Sequence, residues 1–238
     1  MRVALFVPCY VDQFYPQVAI ASLELLEKLG CEVVVPKDQT CCGQPMANSG
    51  FANLTGGCDT NFSQNFDGFD YIVGPSGSCI LHIKEHHPSK KIRESVYEIC
   101  EFLVDVLQVK KLNAHFPHRV GLHQSCHGQR FLRLSSMTER NEAPFSKIAQ
   151  LLDMVKGLDY VLPARADECC GFGGTFCVTE EAVSVRMGQD RIQEHVANQI
   201  EYLIGADTSC LMHMEGILRR QNSNVQIKHV IEILNHHA

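Results

Sequence analysis

The sequence predicts an α/β fold of two pseudo-symmetric Rossmann-like lobes, each with a mostly parallel sheet and helices on both faces. Three observations predict it. Short apolar runs alternate with longer amphipathic stretches, as strands and helices do in βαβ units. The order of these runs is written twice along the 238 residues, enough chain for two lobes of about 100–120 residues each. Each copy also carries an adjacent cysteine pair followed by glycine, Cys41-Cys42-Gly43 and Cys169-Cys170-Gly171, at the same point in the order.

In the first copy, Val3–Val7 reads as a strand ending near Cys9. A helix over about Tyr15–Leu29 follows, with Val18, Leu25, Leu26 and Leu29 on one face and Gly30 as a left-handed stop. Strand Cys31–Val35 leads through a polar turn to the Cys41-Cys42 pair. A Gly/Asn-rich connection brings the chain to strand Tyr71-Ile72-Val73, which ends in Pro75-Ser76-Gly77-Ser78-Cys79. A helix over about Glu94–Leu107 completes the unit.

The second copy repeats the plan. Strand Val120–His123 ends near Cys126, and a helix over about Ala143–Val155 stops at Gly157. Strand Tyr160–Leu162 leads to Cys169-Cys170. The next helix, about Thr179–Asn198, has Thr179 as N-cap and Glu180 and Glu181 in its first turn. Strand Tyr202-Leu203-Ile204 runs into Gly205-Ala206-Asp207-Thr208-Ser209-Cys210, and a last helix covers about Ile227–Asn235. Tyr71-Ile72-Val73-Gly74 thus becomes Tyr202-Leu203-Ile204-Gly205, each followed by Ser-Cys. The junction falls in the polar stretch Lys110–His118, which places the lobes at 1–114 and 115–238.

Composition narrows the function. A net charge of −6, with no Lys/Arg tract, argues against a nucleic-acid surface. No apolar stretch approaches the length of a membrane span. The run Val3–Val7 lacks a basic segment before it and a small-residue cleavage site after it, so it reads as a strand and not a signal peptide. A cytoplasmic protein is expected, and there thiols stay reduced. Its 12 cysteines then point to metal or redox chemistry and not to a disulfide framework.

Eight of those cysteines repeat: Cys9, Cys41, Cys42 and Cys79 in one copy, and Cys126, Cys169, Cys170 and Cys210 in the other. The intervals are close. Between first cysteine and pair lie 31 and 42 residues, and between pair and last cysteine 36 and 39. All eight fall at or just past strand ends, where ligands bind in open α/β sheets. Two four-thiolate sites result, suited to iron–sulfur clusters or another thiophilic metal. Zinc is the rival, although common zinc sites use short C-x₂₋₄-C knuckles and here only the vicinal pair is local. Cys31, Cys58, Cys100 and Cys177 have no counterpart in the other half and read as small packing residues. Gly43, Gly171, Gly173 and Gly174 let the backbone turn tightly beside a bound group, and their N–H groups are donors for sulfur. Gly171-Phe172-Gly173-Gly174 follows a cysteine pair and lacks the later acid of a dinucleotide fingerprint, so no nicotinamide or flavin motif is present.

The stretches VALFVPCYVDQFYP, LLEKLGCEV, QTCCGQPMANSG, VGPSGSC, CCGFGGTF and YLIGADTSCLMHMEGILRRQ span nearly the whole chain. Together they resemble the CCG-type cysteine-rich iron–sulfur family, which includes the heterodisulfide reductase-like proteins. The resemblance implies an electron-transfer subunit of an L-lactate-oxidising system that yields pyruvate, with one or two [4Fe–4S] clusters or Zn²⁺ at one site. It implies as partners a ferredoxin-like iron–sulfur protein and a third lactate-utilization subunit. The family pattern ends in Cys-x-x-Cys, whereas this chain has Cys79-Ile80-Leu81-His82 and Cys210-Leu211-Met212-His213. His82 and His213 are therefore either additional ligands or neighbours at a helix start. His123 and His127, which flank Cys126, are further polar neighbours.

Overall fold

The computed structural model describes residues 1–237. Two four-stranded parallel sheets carry the fold, with strand orders β2-β1-β3-β4 and β6-β5-β7-β8. The two-lobe α/β class expected from the sequence is what the chain adopts.

The first sheet holds β1 (Arg2–Leu5), β2 (Glu32–Val34), β3 (Ile72–Gly74) and β4 (Val96–Glu98). Its helices are α1 (Cys9–Phe14), α2 (Pro16–Lys28), the single turn α3 (Gln44–Met46), α4 (Gly56–Phe66), α5 (Gly77–His86), α6 (Lys90–Ser95) and α7 (Ile99–Glu101). The second sheet holds β5 (Arg119–His123), β6 (Asp159–Val161), β7 (Tyr202–Gly205) and β8 (Gln226–His229). Its helices are α8 (Cys126–Arg130), α9 (Lys147–Leu152), α10 (Phe176–Thr179), α11 (Glu181–Val196), α12 (Thr208–Arg220) and α13 (Val230–Leu234).

Strands β1 and β3 are buried on both faces beyond Arg2, which is why they read as continuous apolar runs. Gly30 (φ +85°) and Gly157 (φ +76°) take left-handed backbone, Gly30 just past the C-cap of α2.

The helix expected over Tyr15–Leu29 is α2, with Pro16 at its first position, and the short helix α1 precedes it. Five other local expectations are corrected. The Gly/Asn-rich connection contains α4, whose buried Phe62 and Phe66 dock it on the sheet and outweigh its poor helix propensity. The segments Glu94–Leu107 and Ile227–Asn235 each hold a strand before the helix, β4 and β8. The helix over Ala143–Val155 shrinks to α9, since Pro144 precedes an N-cap at Ser146, whose Oγ accepts from Ala149 N at 3.1 Å. Thr179 is not the cap of the long helix; it ends α10, and Glu180 takes the N-cap position of α11 without a side-chain bond.

The lobes are joined by exchange of their last helices. α13 packs against α2 of the first lobe, and α7 packs against α9 of the second. Asn235 Oδ1 accepts from Lys28 Nζ at 2.7 Å, and Asn235 Nδ2 donates to Glu24 at 2.7 Å. One apolar core runs through this junction, from Leu25 and Leu26 to Leu151, Leu152, Ile233 and Leu234. The exchange fixes the two sheets relative to each other and so aims both sets of strand ends at one place.

Candidate metal centres

Strand order delivers the cysteines. β1 and β3 are neighbours, and the connections that follow them run to opposite sides, to β2 and to β4, which opens between them the crevice where α/β sheets bind ligands. Cys9 opens α1 beyond β1, Cys41 and Cys42 lie in the loop after β2, and Cys79 sits in the first turn of α5 beyond β3. β5, β6 and β7 place Cys126, Cys169, Cys170 and Cys210 in the same way.

Each quartet forms a chain of sulfur contacts: Cys9–Cys41–Cys42–Cys79 in one lobe, Cys126–Cys169–Cys170–Cys210 in the other. The Sγ atoms of Cys9 and Cys41 are 3.8 Å apart. The Cys41 thiol is pulled well below its ordinary range by S–H donation from Cys42 and Cys9 and by the Gly43 amide. Cys169 is lowered the same way by Cys126, Cys170 and the Gly171 amide. Their neighbours Cys9, Cys42, Cys126 and Cys170 are pushed up, because each donates to that sulfur and is buried beside it. One thiol per lobe is thus biased toward the thiolate that a thiophilic metal binds, and loading all four releases protons.

The CCG glycine has a specific task in each lobe. Gly43 N donates to Cys41 Sγ at 3.4 Å and Gly171 N to Cys169 Sγ at 3.3 Å, from backbones at φ +89° and +90°. Thr55, just before α4, and Cys58 within it stand over Gly43 as Ser184 and Met187 of α11 stand over Gly171. Gly173 and Gly174 line the space in front of the second quartet. Of the unrepeated cysteines, Cys31 and Cys100 are buried in the core, Cys58 lies against the CCG turn, and Cys177 Sγ donates to Gly174 O at 3.0 Å.

The two quartets face one cavity of 210 Å³, lined by seven of the eight repeated cysteines, Cys41 being the exception. Contacts between lobes close around it. Asp207 accepts from the Ser78 amide at 2.7 Å, the hydroxyls of Ser49 and Thr175 are 2.7 Å apart, and Tyr15 donates to Glu215. Tyr10 meets Phe172 edge to face across the same gap.

The histidines separate. His82 is buried one turn along α5 with its ring 5.1 Å from that of His86, and His213 Nε2 donates to Ser184 O at 3.3 Å. Burial lowers both, so both are neutral near pH 7. His127 lines the cavity. The histidine that comes within ligand distance of cysteines is His123, grouped with Cys170 and Cys210. Sequence reasoning missed Asp207 and Arg191, a buried polar residue on α11. For Asp207 the signal was its alignment with Ser76 in the repeated Gly-x-x-x-Ser-Cys stretch.

The donor chemistry fits a thiophilic group in each lobe: four sulfurs, with an amide donor at one of them. Residues 3–84 and 120–215 match the model of the cysteine-rich CCG domain. The chain belongs to this family of cysteine-rich CCG-domain proteins. Among its relatives it is 39% identical to "Lactate utilization protein A" of Geobacillus sp. (strain WCH70), covering 99% of each chain. It is 41% identical to the protein of that name in Exiguobacterium sp. (strain ATCC BAA-1283 / AT1b), covering 98% of this chain and 97% of the relative. A hypothetical protein from Helicobacter pylori shares the fold, with a TM-score of 0.60 at 15% identity; this chain is covered to 98% and spans 48% of that one. No helix among the described residues is long and apolar enough to cross a membrane.

Proposed function

We propose that this chain is the iron–sulfur electron-transfer subunit of a lactate-utilising system that oxidises L-lactate to pyruvate, with a [4Fe–4S] cluster held by each cysteine quartet. The observation that carries the reading is the facing of two four-thiolate sites onto one cavity. A metal that only braces a fold is enclosed; here the sulfurs are turned toward a common space between lobes. Bound clusters would supply one-electron chemistry. The chain's own residues hold them by thiolates, donate N–H groups from Gly43 and Gly171 to sulfur, and bring the lobes together through Asp207.

Lactate itself is handled elsewhere in the system. The cavity lining contains no Lys or Arg among the described residues, so a lactate carboxylate has no fixed cation to pair with there. The names of the relatives support the lactate assignment. The proposed partners are a ferredoxin-like iron–sulfur protein and a third subunit of the same system, in the cytoplasm.

A second reading places zinc in one lobe. The 3.8 Å between Cys9 and Cys41 is the edge of a thiolate tetrahedron around a single ion at the Zn–S distance of about 2.3 Å. EPR of the anaerobically reconstituted chain after dithionite decides between them. Two paramagnetic centres are expected; a single centre with one zinc per chain would support the mixed reading, and no signal would overturn the electron-transfer role.

A further inference from the structure

The two lobes align around their cysteines, and one buried layer differs in kind between them. Aligning Cys9 with Cys126 puts Phe6 opposite His123. Thr55 and Cys58 stand to Gly43 as Ser184 and Met187 stand to Gly171, and the same offset puts Phe62 opposite Arg191 and Phe66 opposite His195. Behind the first quartet is therefore an aromatic stack. Phe62 and Phe66 lie 4.4 Å apart and both meet Phe6 edge-on, at 5.2 and 5.8 Å. Behind the second quartet the same three places hold His123, Arg191 and His195, none more than 1% exposed.

This polar triad is ordered by its hydrogen bonds. Arg191 Nε donates to His123 Nδ1 at 3.2 Å, while its other nitrogens reach the carbonyls of Arg165 and Ala166 and the carboxylate of Glu194 at 3.0 Å. Glu194 is shared with Arg165, which also pairs with Glu168. A guanidinium cannot accept a hydrogen bond, so His123 Nδ1 carries the lone pair and the ring proton sits on Nε2. That N–H is buried without a protein partner, on a ring grouped with Cys170 and Cys210. With Nδ1 engaged by Arg191, the ring offers a metal no lone pair, and its free Nε2–H is available as a donor to a group held by those cysteines. The charge behind it is close enough to act on Cys170. Burying an arginine is costly, and the fold meets that cost by satisfying it with two carbonyls and a carboxylate.

We propose that the second lobe holds the higher-potential of the two centres, because His123 and Arg191 present an N–H donor and a fixed positive charge where the first lobe presents Phe6 and Phe62. Hydrogen bonds to sulfur and nearby positive charge both favour the reduced state of an iron–sulfur centre. An electron shared between the lobes then rests on the second. This ordering rests on the cluster reading above.

The test is a potentiometric titration of the anaerobically reconstituted full chain, followed by EPR, with Cys41→Ser and Cys169→Ser proteins assigning the two signals. The second centre is expected to be easier to reduce by at least tenfold in equilibrium constant, about 59 mV for a one-electron couple. Arg191→Gln and His123→Phe should each lower that centre by a similar factor and leave the first in place, while Arg191→Lys keeps most of the difference. Equal potentials, or a lower second one, in unaltered protein overturn the ordering while leaving the clusters intact, and this comparison stands even if the Arg191 variants do not fold. The same holds if Arg191→Gln and His123→Phe both fold and shift nothing. Protein that holds only zinc and shows no redox signal removes the cluster reading and the ordering with it.

Discussion

The amide of Ser78, in the first turn of α5, donates at 2.7 Å to Oδ2 of Asp207, the N-cap of α12 in the other lobe. The same carboxyl accepts from the Ser209 amide at 3.1 Å and the Ser209 hydroxyl at 2.6 Å. One side chain thus organises the starts of both helices, each one residue before a repeated cysteine, Cys79 or Cys210. Replacing it by alanine leaves two buried helix-start amides without acceptors. Asp207→Ala should cost about 2–4 kcal/mol in denaturant unfolding, with metal loss from both lobes; Asp207→Asn should cost less. Loss confined to the second lobe would show that the contact across the lobes is incidental.

The two CCG glycines are fixed by sterics as well as by backbone sign. A Cβ on Gly171 would stand 2.6 Å from Ser184 O and 2.8 Å from Met187 Cβ, at φ +90°. Gly30 has φ +85° but nothing within 4 Å. Gly30→Ala should therefore cost only its conformational term, about 1 kcal/mol, and leave metal content untouched. Gly171→Ala should cost more and empty the second site. Thermal unfolding with metal analysis of both variants makes the comparison.

Glu98 is fully buried at the end of β4, with Oε2 accepting from the amides of Cys100 and Glu101 and Oε1 unpartnered. Burial raises its pKa from 4.5 to about 8. The folded state therefore binds this proton more tightly than the unfolded chain. The stability it contributes is full below pH 4.5 and is lost as the pH rises through about 8. Glu98→Gln keeps the oxygen that caps α7 and should remove this part of the pH dependence, gaining on the parent protein between pH 5 and 8. Denaturant midpoints at several pH values read it directly; parallel curves for the two proteins would contradict the assignment.

Cysteine substitutions separate ligands from neighbours. Cys170→Ser should lose metal from the second lobe alone, whereas Cys177→Ser, whose thiol is occupied by Gly174 O, should load fully. The reverse outcome would mean that the repeat pairs the wrong cysteines.

The eight repeated cysteines were legible because strand ends and sequence repeats leave marks in a linear pattern. β4 and β8 were not. Each runs into a helix capped by the strand's own last residue, Glu98 or His229, so no turn residue separates strand from helix. α4 was hidden by its glycines and asparagines, since tertiary docking through Phe62 and Phe66 and not propensity makes it a helix. The layer of His123, Arg191 and His195 lay beyond reach for another reason. Its members are up to 72 positions apart and polar, so periodicity reads them as solvent-facing until the fold brings them together.

The central claim is that the doubled quartets hold iron–sulfur clusters and not structural zinc. Iron, acid-labile sulfide and zinc measured on the same anaerobically prepared sample test it most directly. The account predicts iron and sulfide in about equal amounts, near four of each per loaded lobe for a cluster of the proposed composition, with both lost in a Cys41→Ser, Cys169→Ser double variant. Colourless protein carrying two zinc ions per chain, without iron or sulfide, would contradict it.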